Sequence, residues 1–315
     1  MPEQNTEIPA SQSPLGPPAG PRTGRKAIFW NETEFRAGWR LLMYLFFVVL
    51  FTLIGTFLIT ALHMPDIFRS GITATSMLIQ ETTGIIATFM AAGIMSMLED
   101  RRFETYGLPL GEAFRSRFWQ GALWGIAMIT AIILLIRGFG GFTFGELALR
   151  GPHLWGYAVL WGVVFILVGI FEEFLFRGYA QFTLSMGVGF WPAAVLLSAG
   201  FGAIHLHNAG EDKIGALSVF VIGIFFCLTL WRTGNLWFAV GLHSAFDWGE
   251  TFLFSVPDSG LVAPGHFLNS SLHGPAWVTG GMVGPEGSVM SFVVVGIAAV
   301  IFVFLYPAKK ESSRI

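Results

Sequence analysis

Glu172 and Glu173 stand side by side in an apolar stretch that closes on Arg177. A charged side chain at the centre of a bilayer helix costs at least about 2.5–3.5 kcal/mol. Carboxylates persist at that depth when they face a protein interior and act there. Glu173 and Arg177 are four residues apart, so their side chains meet on one helix face. Glu172 points about 100° away from Glu173. The pair therefore divides its work: Glu173 stays ionised beside Arg177, and Glu172 faces a cavity where it serves as a general base. His243 and Asp247 are also four apart on a helix. That spacing suits two ligands of one metal, or a histidine with an orienting carboxylate. His205 sits four residues after Phe201, near the end of another apolar run. Two histidines and a carboxylate from separate helices, plus a water, make an open zinc site. The same residues without metal make a carboxylate and histidine pair that activates water directly. Both arrangements hydrolyse bonds inside the membrane.

The elements that carry these residues are set by composition. Of 315 residues, 54% are hydrophobic and only 12% charged, against about 25% charged in soluble domains. Apolar runs reach bilayer-spanning length, roughly 20 residues. The expected fold class is all-α: a polytopic membrane protein, a bundle of about eight transmembrane helices. The spans fall near 41–62, 74–97, 120–136, 154–176, 188–206, 214–231, 236–254 and 287–306. Trp39, Trp119, Trp155, Trp191, Trp231 and Trp237 sit at span ends, where indole favours the headgroup layer. Residues 1–38 read as a disordered cytoplasmic tail, 39–308 as the membrane domain and 309–315 as a short cytoplasmic tail. All but four (Arg69, Arg137, Arg150, Lys213) of the 18 Lys and Arg residues fall on the side that holds both termini. The positive-inside rule makes that side cytoplasmic. The last connection, roughly 255–286, is rich in Gly and Pro and has no Lys or Arg; its interspersed aromatic and aliphatic residues favour an ordered cap. A net charge of −2 without a basic patch points away from nucleic acid. The single cysteine, Cys227, rules out an intrachain disulfide.

Three motifs, in order on separate spans, resemble the CPBP family of intramembrane proteases, which includes the type II CAAX prenyl endopeptidases and the bacterial Abi-type membrane proteins. Glu172-Glu173-Phe-Leu-Phe-Arg177 is similar to EExxxR, Phe201-Gly-Ala-Ile-His205 to FxxxH, and His243-Ser-Ala-Phe-Asp247 to HxxxN/D. The resemblance implies an intramembrane endopeptidase in the cell membrane, acting on a membrane-associated or CAAX-like protein or peptide. It implies that Glu172 and His205 activate water, that His243 and Asp247 stabilise the oxyanion or bind metal, and that Glu173 and Arg177 support the site. If a cofactor is used, it is one divalent metal, zinc, held by Glu172, His205, His243 and Asp247; otherwise there is none. The prenyl endopeptidases carry Asn where this chain has Asp247. An amide donates to an oxyanion and an ionised carboxylate does not, so Asp247 leans toward orienting His243 or holding a metal. The alternative function is a non-catalytic membrane immunity or binding protein on the same scaffold.

Naive helices leave a mismatch in depth, because Glu172 falls near one end of span four and His205 near the opposite end of span five. The expected remedy is a helix four that continues through 178–184 and a short or tilted helix five. Glu81 with Gln80 is expected either to line the cavity or, the preferred reading, to cap an interhelical hydrogen bond. Glu250, seven residues after His243, is either a neighbour of the site or a span-end residue.

Overall fold

The computed structural model describes residues 35–62 and 73–307. The expected tails over 1–38 and 309–315 fall outside the described residues, except that a helix has already begun at Ala37. The helices are α1 (Ala37–Ala61), α2 (Ala74–Leu98), α3 (Ser116–Gly138), α4 (Pro152–Arg177), α5 (Tyr179–Val188), α6 (Phe190–His205), α7 (Lys213–Thr233), α8 (Trp237–Trp248), the single turn α9 (Ala276–Thr279) and α10 (Val289–Leu305). Gly249–Phe254 prolongs α8 as a π-helix. The short strands β1 (Phe142–Thr143) and β2 (Ser271–Leu272) pair antiparallel, Phe142 opposite Leu272. The chain is an all-α, multi-pass membrane protein, with five helical segments long and apolar enough to cross a bilayer.

Local chemistry sets the ends. Thr73 and Ser76 form a reciprocal capping box at the start of α2, which satisfies two otherwise unpaired amides. Pro152 opens α4, where a missing N–H costs nothing. The Asp212 carboxylate accepts from the Ile214 and Gly215 amides and caps α7. Gly178 interrupts the fourth span: α4 stops at Arg177 and α5 resumes at Tyr179. A Cβ at Gly178 would overlap the Phe174 carbonyl oxygen. The fourth span thus runs on as expected, but as two helices. The fifth is short, at 16 residues.

The centre of the bundle is α8. Trp237 through Ser244, Phe246 and Asp247 are all buried, the pattern of a helix enclosed on every side. Two glycine contacts bring its neighbours to backbone distance. A Cβ on Gly125 of α3 would strike the Leu242 carbonyl, and one on Gly169 of α4 would strike Ser244 Oγ. Small residues let membrane helices approach closely where no hydrophobic effect drives them together. The α3 side of this contact carries Ile129, Ile132, Ile133 and Ile136, all fully buried. The α4 side carries the paired glutamates.

Trp237 corrects the reading of indoles as interface markers. It is buried, and its Nε1–H donates to the Pro109 carbonyl at 2.9 Å. Trp119 and Trp155, by contrast, are well exposed.

Candidate active site

Glu173 is fully buried and meets Arg177 Nη1 at 3.2 Å. Glu173 Oε1 also accepts from His243 Nδ1–H at 3.0 Å. One carboxylate therefore joins α4 to α8 and fixes the ring of His243. With Nδ1 engaged, Nε2 turns to the other side, 3.4 Å from Asp247 Oδ2 and 3.7 Å from Glu172 Oε2. The ring stacks on Phe226 at 5.0 Å, which prevents it from rotating. Arg177 is fully buried as well. Its guanidinium lies 4.2 Å from the Phe201 ring centre and 5.2 Å from that of Phe226, so aromatic faces take the place of water around its charge.

Glu172, His205, His243 and Asp247 all line one cavity of about 470 Å³, within the range of small-molecule and peptide sites. Its walls come from the start of α2, the middle of α4, the ends of α6 and α8, and the cap. Glu172, with about a fifth of its side chain exposed, is accessible from the cavity. His205 donates Nδ1–H to the Phe201 carbonyl at 2.9 Å, and this leaves Nε2 free. The Phe201 ring stands 4.6 Å from the His205 ring and 6.4 Å from the His243 ring. His205 thus shares the cavity but not the tight cluster of Glu172, His243 and Asp247.

Of the four expected metal ligands, Glu172 and Asp247 stand around His243 Nε2, and His205 bonds to the Phe201 carbonyl. Among the described residues, the one carboxylate, histidine or cysteine trio whose ligand atoms all lie within 4.8 Å of one another is Glu250, Asp258 and Glu286. Ligands held about 2.0–2.2 Å from one zinc ion stand roughly 3.3–3.6 Å apart, so the 3.4 Å and 3.7 Å approaches of Asp247 and Glu172 to His243 Nε2 fit pairs of such ligands, and among the described residues no metal-spaced trio includes His205.

Residues 154–249 match the family model described as Type II CAAX prenyl endopeptidase Rce1-like. Over that stretch, 96 of the 315 residues, the chain is similar to this family. The match begins in α4 and ends just after α8, so it contains all three motifs. No curated protein matches the chain. The similarity supports a CAAX-type intramembrane endopeptidase in general, an enzyme class that acts on membrane-associated substrates.

Asp258 and Glu286 were not assigned to this cavity from sequence, and Glu81 was placed there only as the second reading. Glu81 lines the cavity with Gln80, and its Oε2 is buried without a partner; this corrects the expectation of an interhelical hydrogen bond. Asp258 and Glu286 also line it. They are the only charged residues of the cap, and that isolation was the available signal. Burial and the neighbouring Glu286 push the Asp258 carboxyl up to about 8, against the Thr251 hydroxyl that donates to it. Glu211, in the loop after α6, is pushed by burial up to about 7.

Proposed function

We propose that the chain is an intramembrane endopeptidase in which Glu172 activates water for attack on a peptide carbonyl. The observation that carries this reading is the placement of His243 Nε2 against both Glu172 and Asp247, at the wall of a cavity large enough for a peptide segment. Glu172 takes the proton of the attacking water. His205 accepts a hydrogen bond from that water at its free Nε2, and as the carbon–nitrogen bond breaks the proton held by Glu172 passes through Nε2 to the departing amine. Carboxylate oxygens face both ring nitrogens of His243, and in the reaction its Nε2–H donates to the developing oxyanion. Asp247 orients that donor. This role accommodates a carboxylate at the position where prenyl endopeptidases carry an amide. Glu173 and Arg177 hold the ring and never touch substrate.

The substrate is a membrane-associated protein or peptide. The cavity shares its membrane face with the loop 206–212 and the cap, and the described C-terminal end of α10 reaches the opposite face. With the termini cytoplasmic, as the Lys and Arg distribution favours, substrate enters from the non-cytoplasmic side. Cleavage of a membrane-anchored peptide by the purified protein in liposomes, run in ¹⁸O-water, tests the reaction class. One ¹⁸O in the new carboxyl terminus is the expected result. An unlabelled product, or none with any anchored peptide, would contradict the hydrolase.

A further inference from the structure

The π-helix that prolongs α8 carries Glu250. This side chain is fully buried, and neither carboxylate oxygen has a hydrogen-bond partner. A carboxylate removed from water without compensation is among the costliest groups a fold can hold. The cap brings its only two charged residues to the same place. One ligand atom each from Glu250, Asp258 and Glu286 all lie within 4.8 Å of one another. Two of these acids are held in position by hydroxyls and an amide. Thr251 donates to Asp258 Oδ2 at 2.8 Å. Ser259 donates to Glu286 Oε2 through its hydroxyl at 2.6 Å and its backbone N–H at 3.0 Å. The second oxygen of each is left for another partner, and the Glu286 backbone amide also faces Glu250.

We infer that Glu250, Asp258 and Glu286 form a divalent-cation site of the calcium class, which fastens the cap to the end of α8. An all-oxygen donor set selects a hard ion over zinc or copper. Size decides among hard ions. Calcium takes oxygen ligands at about 2.3–2.6 Å in flexible geometry, whereas magnesium demands a near-ideal octahedron at about 2.0–2.1 Å, so carboxylates brought together from a helix end and two positions of a loop suit calcium better. The site lies one helical turn beyond Asp247. A cation there holds in place the loop that forms the rim of the cavity. The inference stands apart from the catalytic reading, since none of its three ligands is assigned a chemical step.

The test is thermal unfolding of the purified full chain in detergent, stripped with chelator and titrated with calcium chloride, with calorimetry for stoichiometry. The expected result is one bound calcium and a saturable rise in Tm of roughly 5 °C, with a smaller rise for magnesium. Glu286→Gln and Asp258→Asn should lose most of that rise, and Glu172→Gln should keep it. Glu250→Gln should cross over: more stable than the native chain in chelator, because a buried charge is gone, and less stable in saturating calcium. No saturable binding to the native chain overturns the inference, as does an undiminished calcium response in Glu286→Gln. Loss of the response in Glu172→Gln would place the ion at the catalytic acids instead.

Discussion

Glu173 is the residue on which the geometry of the site turns, although it performs no chemistry. It balances Arg177 and orients His243 from a position without solvent. Replacing it with Ala leaves the Arg177 guanidinium buried and uncompensated, at a cost of about 3–5 kcal/mol; a large fall in Tm is the expected outcome. Arg177 and Glu173 were legible in sequence because a spacing of four fixes the face they share. The bond from Glu173 to His243 was not, since it joins residues 70 positions apart. Glu211 gives a separate prediction outside the membrane. Its folded carboxyl titrates near 7, above the usual carboxylate range, so the folded state disfavours its charged form. The stability it contributes is complete below its unfolded pKa and is lost as pH rises through about 7. In Glu211→Gln that part of the pH dependence of Tm should vanish.

At the scale of elements, the two glycines that seat α8 matter as much as the acids. Gly125→Val would push a side chain into the Leu242 carbonyl, where backbone cannot yield. Overpacking of this kind costs about 1–3 kcal/mol. Because Leu242 adjoins His243, kcat should fall more than KM rises in a cleavage assay. The five segments of bilayer-spanning length could be read from hydropathy alone, since bilayer thickness sets their length. Three details could not. The break at Gly178 depends on a close approach to the Phe174 carbonyl that only a residue without a Cβ can make, and the π-turn after Trp248 on how α8 meets the cap. The burial of Arg40 depends on a distant partner. Counted from sequence as a cytoplasmic charge, Arg40 is in fact paired with Glu99, which also accepts from Tyr179. That cluster ties α1, α2 and α5 together at the face away from the cavity.

The whole molecule is a bundle with its chemistry displaced toward one face. Loops 139–151 and 255–288 meet there through the β1–β2 pair, and Asn208 donates to the Ser259 carbonyl at 3.0 Å. The orientation proposed above makes that face non-cytoplasmic. Val262 on the cap is well exposed, and the single native cysteine, Cys227, is buried. In Val262→Cys, a membrane-impermeant maleimide should therefore label intact cells without permeabilisation; labelling only after lysis would reverse the orientation and the side of substrate entry. Sequence order predicted that spans four, five and seven converge, because their motifs make chemical sense only together. It did not predict that the cap supplies two more acids, as nothing in the spacing of Asp258 and Glu286 relates them to Glu250. The central claim is that Glu172 activates the attacking water. Its most direct test is the single-turnover cleavage rate of Glu172→Gln, a substitution that preserves shape while removing the base. A fall of about 10²–10⁴-fold with Tm unchanged is the predicted result, and a rate equal to that of the native chain would contradict the account.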